Sequence, residues 1–268
     1  MKISISVAAC PSAMPQIMFF GGLDRDFARL AAMGYDGVDL FLPRPRDVDA
    51  AEVKKLLDAN GLKATMLASQ GDLMADGLFL NEPDRLTELL ERSRYHLEQC
   101  AVIGAKPNLG FLRGRHKGRP ESLRNMADGV AAYCELAASM GVDVLLEPIC
   151  RYEIDSILTT AQALELRAMA GAPANLSLLL DIFHMNIEEA SLLGAIASAK
   201  GHIGHVHFVE NTRSVPGTGC LNLPGVVATL HEAGYEGFLG IEAVPGPDPE
   251  AEAVSGLTHT RALIAAHA

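Results

Sequence analysis

The sequence predicts an α/β protein closed into a (β/α)8 barrel, the TIM-barrel architecture, as a single domain over residues 1–268. Short apolar or β-branched runs alternate with helical stretches from end to end, and the runs number eight. Divided among eight units, the 268 residues leave about 33 apiece, which suits a strand, a helix and two loops. A doubly wound open sheet would alternate in the same way, but no GxGxxG follows the first run and eight units favour closure. Apolar residues at 49% and charged residues at 21% supply a large core and argue against disorder.

The predicted strands cover 2–7, 37–42, 63–69, 106–112, 143–149, 176–181, 203–209 and 238–244. Helices are predicted between them, among them 47–60, 84–103, 121–140, 160–170 and 191–200. Their warrant is helical spacing of apolar residues, as in Val53, Leu56 and Leu57, or Leu86, Leu89, Leu90 and Leu97. A glycine closes the helix before a strand in MGYDGVDL, NGLKATML, IGAKPNL, MGVDVLL and AGYEGFLGIE, the position that tolerates a left-handed backbone.

Lys+Arg 22 against Asp+Glu 33 gives a formal net charge of −11, which argues against nucleic acid or an anionic membrane as partner, since both require a basic face. No apolar stretch approaches the roughly 20 residues of a bilayer span. MKISISVAAC is interrupted by Pro11 and Pro15 and reads as a first strand rather than a secretory segment. Cys10, Cys100, Cys134, Cys150 and Cys220 are odd in number and scattered without a CxxC, so free thiols in a reducing cytoplasm are expected.

In a barrel of this kind chemistry sits at the C-terminal ends of the strands. Four late strands carry metal-competent side chains there: Glu147 in VLLEPI, Asp181 and then His184 in LSLLLDIFH, His205 and His207 in HVHFVE, and Glu242 in LGIEA. The two histidines lie two apart and so on one face of their strand. One buried carboxylate could simply pair with a Lys or Arg, but four such positions on successive strands, with no lysine among them, point to a shared site. Three carboxylates and one imidazole make a hard donor set suited to octahedral Mn2+, Mg2+ or Co2+ rather than to structural Zn2+. Two open positions would chelate neighbouring oxygens of a hydroxy-ketone and stabilise the enediolate formed by proton loss. Glu147 and Glu242, on well-separated strands, could then serve opposite faces of one carbon, which is epimerisation by general acid–base catalysis.

The segments EPICRYE, DIFHMNIEE, HVHFVENTRSVPGTG and GIEA closely resemble the sugar isomerase/epimerase family with a xylose-isomerase-like barrel, and within it the ketose 3-epimerases (tagatose, psicose and 5-keto-gluconate epimerases). The resemblance runs in order through the second half, and MADGLFLNEP with GFLRGRHKGR is most similar to the 5-keto-L-gluconate epimerase branch. It implies that Glu147, Asp181, His207 and Glu242 hold one divalent metal per subunit, Mn2+ ahead of Mg2+ or Co2+, with Glu147 and Glu242 also the acid/base pair. It implies substrate contacts for Glu153, His184 and Arg213, no metal contact for His205, and assembly as a homodimer or homotetramer. Two departures bear on substrate and loop geometry: Cys150 where the family often has Asn, and Asn222 where it has an acid.

The basic stretch after the fourth strand offers Arg113 and Arg115 as a clamp for a carboxylate or phosphate, the plain alternative being a solvated loop or subunit contact. Lys117 and Arg119 fit that alternative better. Gln70 could hydrogen-bond a sugar hydroxyl or cap a loop. The apolar loop CPSAMPQIMFFGG, with Met14, Met18, Phe19 and Phe20, could cover the mouth or pack beneath a helix, and 74–80 is a second candidate lid. The expected function is a metal-dependent epimerase of a ketose or keto-sugar acid. Competing readings are an aldose–ketose or hydroxypyruvate-type isomerase on the same site, an endonuclease IV-like repair enzyme, which the acidic charge disfavours, and a non-catalytic sugar-binding barrel.

Overall fold

A computed structural model describes residues 1–10, 14–42 and 45–267. Its eight strands are β1 (Lys2–Ala8), β2 (Gly37–Phe41), β3 (Lys63–Ala68), β4 (Lys106–Pro107), β5 (Val144–Leu146), β6 (Leu176–Asp181), β7 (Ile203–His207) and β8 (Phe238–Ile241). The helices are α1 (Leu23–Met33), α2 (Ala50–Ala59), α3 (Gly71–Ala75), α4 (Leu86–Ile103), α5 (Ser122–Ser139), α6 (Thr160–Met169), α7 (Ile182–Glu188), α8 (Leu192–Ser198), α9 (Leu223–Glu232) and α10 (Pro249–Ala265). All the paired strands are parallel, in the spatial order β4-β3-β2-β1-β8-β7-β6-β5, so the first and last strands meet as a barrel requires.

Period-two alternation sorts the strand residues into two sets. Ile3, Ile5, Val7, Val38, Leu40, Leu178, Leu180, Leu239 and Ile241 face the helices and form the main core with them. The opposite set faces the lumen, where Ala8, Phe41, Met66, Leu145 and Leu179 form a smaller apolar cluster. On that inward face β2 contributes Asp39, β6 Asp181, and β7 His205 and His207. Glu147 and Glu242 follow just beyond β5 and β8.

The glycines read as helix stops, Gly34, Gly61, Gly104, Gly141 and Gly234, all have positive φ, between 68° and 102°. Most predicted strands end one to three residues early, because the chain leaves the ladder where the mouth loops begin. β4 departs furthest: predicted to reach residue 112, it is two residues long and gives way to a 3-10 turn at Phe111–Arg113.

The β4–β5 seam is therefore closed by other means. A single bridge joins Asn108 to Leu145, and the Leu109 N–H donates to the Leu145 carbonyl at 2.8 Å. Beyond it the Arg113 guanidinium, fully buried, takes over. Its Nη1 donates to the carbonyls of Gly110 and Glu147, the latter at 2.7 Å, and its Nη2 to those of Ser156 at 2.7 Å and Ile157 at 3.1 Å. Ile157 is a β-branched residue at φ 51°, a costly conformation that this anchor helps to hold.

Removing the guanidinium takes a donor from four buried carbonyls, of which that of Ile157 keeps the Ile149 N–H at 3.3 Å, and opens a cavity. Arg113→Ala is expected to lose about 3 kcal/mol or more of unfolding free energy. Urea melts at unchanged m-value measure this; a variant within about 0.5 kcal/mol of wild type contradicts it.

Candidate active site

The register brings the polar lumen residues together. Asp181 pairs with His207 across β6–β7, and His207 with Gly240 across β7–β8, two residues before Glu242. His207 Nδ1 faces three carboxylates: Glu242 Oε2 at 3.4 Å, Asp181 Oδ2 at 3.7 Å and Glu147 Oε1 at 3.9 Å. Glu147, Asp181 and His207 offer donor atoms all within 4.8 Å of one another. Glu242 adjoins them, its Oε2 also accepting from Arg213 Nη2.

A divalent cation fits this donor set. His207 Nδ1 is buried with no hydrogen-bond partner among the described residues, an expensive arrangement unless something binds there. Donors around an octahedral Mn2+ or Mg2+ are about 3 Å apart when adjacent and about 4 Å when opposite, and the three distances from His207 Nδ1 lie between.

The electrostatics state the same need. Burial raises the Glu147 pKa, with Glu242 and Asp181 adding repulsion that His207 and His184 oppose. Burial works against the Asp181 charge too, but His184, His207 and Arg213 hold its carboxyl well below the usual range. Burial also opposes charge on His207, yet Glu242, Asp181 and Asp39 lift it to about 10. His184 rises to about 9 against the same penalty, through Asp181, Cys150 and Glu147. Without a metal, protons on these rings balance part of the negative charge.

Above this floor lies a cavity of about 370 Å³, within the roughly 300–1,000 Å³ typical of small-molecule sites. Glu147 and Glu242 reach its wall, whereas Asp181 and His207 lie beneath. Glu153, His184, Arg213 and Gln70 line it as well, together with Phe41, Met66, Met74, Phe111 and Ile149. Arg213 spans the mouth from the loop after β7: Nη1 donates to Glu153 Oε1 at 3.2 Å, Nη2 faces Asp181 Oδ2 at 3.4 Å, and the guanidinium stacks 4.9 Å from the Phe183 ring. Its φ of 58° is held by backbone bonds on both sides, its own N–H to the Glu210 carbonyl and the Val244 N–H to its carbonyl.

Arg113 is corrected by the structure. Its side chain is walled off from the cavity and committed to backbone carbonyls, so it cannot clamp a substrate anion. Arg115 is exposed, donates to the Glu153 carbonyl and faces a separate pocket beside Met74 and Phe111. Arg119 pairs with Glu82 at 2.8 Å, and Lys117 is exposed. Of the proposed lid, residues 11–13 lie outside the described residues; Met14 lines the cavity, Met18 and Phe19 are core, and Phe20 is exposed away from it. In the second candidate lid Met74 lines the cavity while Leu78 and Leu80 are core. Asn222 accepts the Gly225 N–H at the start of α9, a capping role Asn fills as well as Asp.

Two residues escaped the sequence reading. Asn108 donates from Nδ2 to Glu147 Oε2 while its Oδ1 accepts the Gly110 N–H at 3.0 Å, clamping the glutamate; an Asn after Lys-Pro signals only a turn. Asp39 is fully buried on β2, its Oδ1 3.0 Å from His205 Nε2 and its Oδ2 3.7 Å from His207 Nε2. Burial opposes its charge, but His205, His207 and Thr65 bring its pKa down to about 2. A carboxylate amid the apolar run GVDLFL was the available signal.

The raised histidines give the metal-free protein a defined pH response. Their ion pairs contribute fully below the ordinary value of 6.5 and are lost as pH rises through about 9 to 10. The melting temperature in EDTA is therefore expected to fall from about pH 7 upward. Mn2+ affinity should rise over the same range as the His207 proton gives way to the cation. A metal-free melting temperature that stays flat or climbs from pH 7 to 9 contradicts this account.

Known proteins carry the same architecture. An L-ribulose 3-epimerase of Methylomonas sp. (strain DH-1) is 30% identical over 228 residues, covering 83% of this chain and 78% of that protein. A 3-dehydro-D-guloside 4-epimerase of Escherichia coli (strain K12) is 28% identical over 246 residues, covering 87% and 92%. The crystal structure of a D-psicose 3-epimerase with D-tagatose, from Clostridium cellulolyticum H10, matches with a TM-score of 0.82 at 21% identity over 98% of this chain and 99% of that one, a likeness of fold. The family model for the xylose isomerase-like TIM barrel matches residues 27–263, nearly the whole barrel, and the chain belongs to that family.

Proposed function

We propose that this protein is a divalent-metal-dependent epimerase of a ketose or keto-sugar acid, inverting a carbon next to a carbonyl. One observation carries the reading: of the four converging candidate ligands, only Glu147 and Glu242 reach the cavity, and they reach it from strands on different sides of the mouth. The relatives support this chemistry. One is named for carbon 3 of a ketose and the other for carbon 4 of a 3-dehydro sugar, in each case the neighbour of the keto carbon.

Glu147, Asp181, His207 and Glu242 would hold the cation, preferably Mn2+. When bound, it polarises the substrate carbonyl and stabilises negative charge on that oxygen. One of Glu147 and Glu242 takes the proton from the adjacent carbon and the other returns one to the opposite face. Burial raises the Glu147 pKa above the ordinary carboxylate value, a shift in the direction that favours a carboxyl able to hold a proton. Asn108 keeps Glu147 from turning away, and Arg213 does the same for Glu242. His184, Glu153, Arg213 and Gln70 are placed to bind sugar oxygens, and the Met and Phe walls exclude water.

Incubating the Mn2+-loaded enzyme with a panel of ketoses and keto-sugar acids in D2O tests this. Deuterium should enter at the carbon next to the carbonyl with inversion, and Glu147→Gln or Glu242→Gln should slow exchange at least about 100-fold. Unchanged exchange in both variants removes the acid/base roles. Products that retain every configuration favour an isomerase instead.

A further inference from the structure

We propose that Asp39 is a positioning residue for the metal centre: through His207 it determines which imidazole nitrogen faces the cation. The inference rests on reading Glu147, Asp181, His207 and Glu242 as ligands.

His207 Nδ1 faces the three carboxylates, and Nε2 points the other way, down the lumen. There Asp39 Oδ2, at 3.7 Å, is the carboxylate oxygen it meets, and both atoms are buried without another hydrogen-bond partner among the described residues. A neutral imidazole that gives one nitrogen to a cation carries its proton on the other, and that N–H requires an acceptor. With Nε2–H directed at Asp39, the Nδ1 lone pair is presented to the centre. The reverse tautomer would aim an N–H into the place of the cation.

Asp39 is built for a fixed orientation. Its Oδ1 accepts from the Ser4 hydroxyl at 3.1 Å on β1 and from the Thr65 hydroxyl on β3, and lies 3.0 Å from His205 Nε2 on β7. These contacts leave Oδ2 free to face His207. Room for Oδ2 comes from β8, where a Cβ at Gly240 would lie only 2.1 Å from it. Five strands thus converge on one carboxylate that touches neither the cavity nor the candidate ligand oxygens.

The test measures Mn2+ binding without substrate, by the electron paramagnetic resonance of free Mn2+, for wild type, Asp39→Asn and Asp39→Leu. Melting temperatures of the metal-free proteins are taken alongside. Asp39→Leu is expected to weaken binding about 10- to 100-fold, and Asp39→Asn, which keeps an oxygen acceptor, about 3- to 10-fold. Nitrogen-15 spectra of histidine-labelled, Mg2+-loaded wild type should show the His207 proton on Nε2. Either folded variant binding Mn2+ as tightly as wild type overturns the proposal, as does a proton found on Nδ1. Should Asp39→Leu fail to fold, Asp39→Asn and the spectra decide. Wild type that binds no divalent metal removes the ligand reading and this inference together, whereas a protein that shows these metal shifts but turns over no sugar loses only the proposed reaction.

Discussion

Everything at the mouth of this barrel answers one constraint: several carboxylates are held together with little exposure to water. Glu147, Asp181 and Glu242 converge within a few ångströms of one imidazole nitrogen, and Asp39 lies one layer below. Left alone, such a cluster would protonate or push the strands apart. It persists because Arg213, His184 and His207 bring positive charge to it and because Asn108 holds Glu147 while Asp181 and Glu242 share Arg213. The left-handed backbone of Arg213 belongs to the same balance, since it aims one guanidinium at Glu153, Asp181 and Glu242 together.

The lumen divides into levels with separate duties. At the top, Glu147 and Glu242 share a wall with Glu153, His184 and Gln70, so carboxylates, an imidazole and an amide face one cavity. Beneath, Asp181 and His207 form a floor that a small molecule cannot touch. Lower still, Asp39 and His205 connect that floor to the backbone strands. The division follows from strand register, because moving two residues along a strand moves one level along the barrel axis.

Much of this was legible in the sequence. Alternating runs located the strands, and glycines marked where helices give way to them. Glu147, Asp181, His207 and Glu242 stood out as charged groups ending apolar strands. What stayed hidden was decided by three-dimensional neighbours. Arg113 and Arg115 stand two positions apart in the same basic stretch, but the turn at Phe111–Arg113 sends the first into the interior and leaves the second outside. Asn108 gains its role from Glu147, 39 residues later, which no local pattern records. Asp39 belongs to the half of the chain where no companion carboxylate drew attention to it.

The shortness of β4 has a consequence for how the barrel can change shape. Seven of the eight strand junctions are hydrogen-bonded ladders, and the eighth, between β4 and β5, is a single bridge buttoned by an arginine side chain. Mechanically the molecule is a sheet rolled until its edges touch, with the join running directly beside Glu147. A ladder distributes load over many equivalent bonds; a button concentrates it on one residue. Drift in sequence elsewhere along the basic loop can alter the rim without disturbing the roll, but a change at position 113 loosens the edge that carries Glu147.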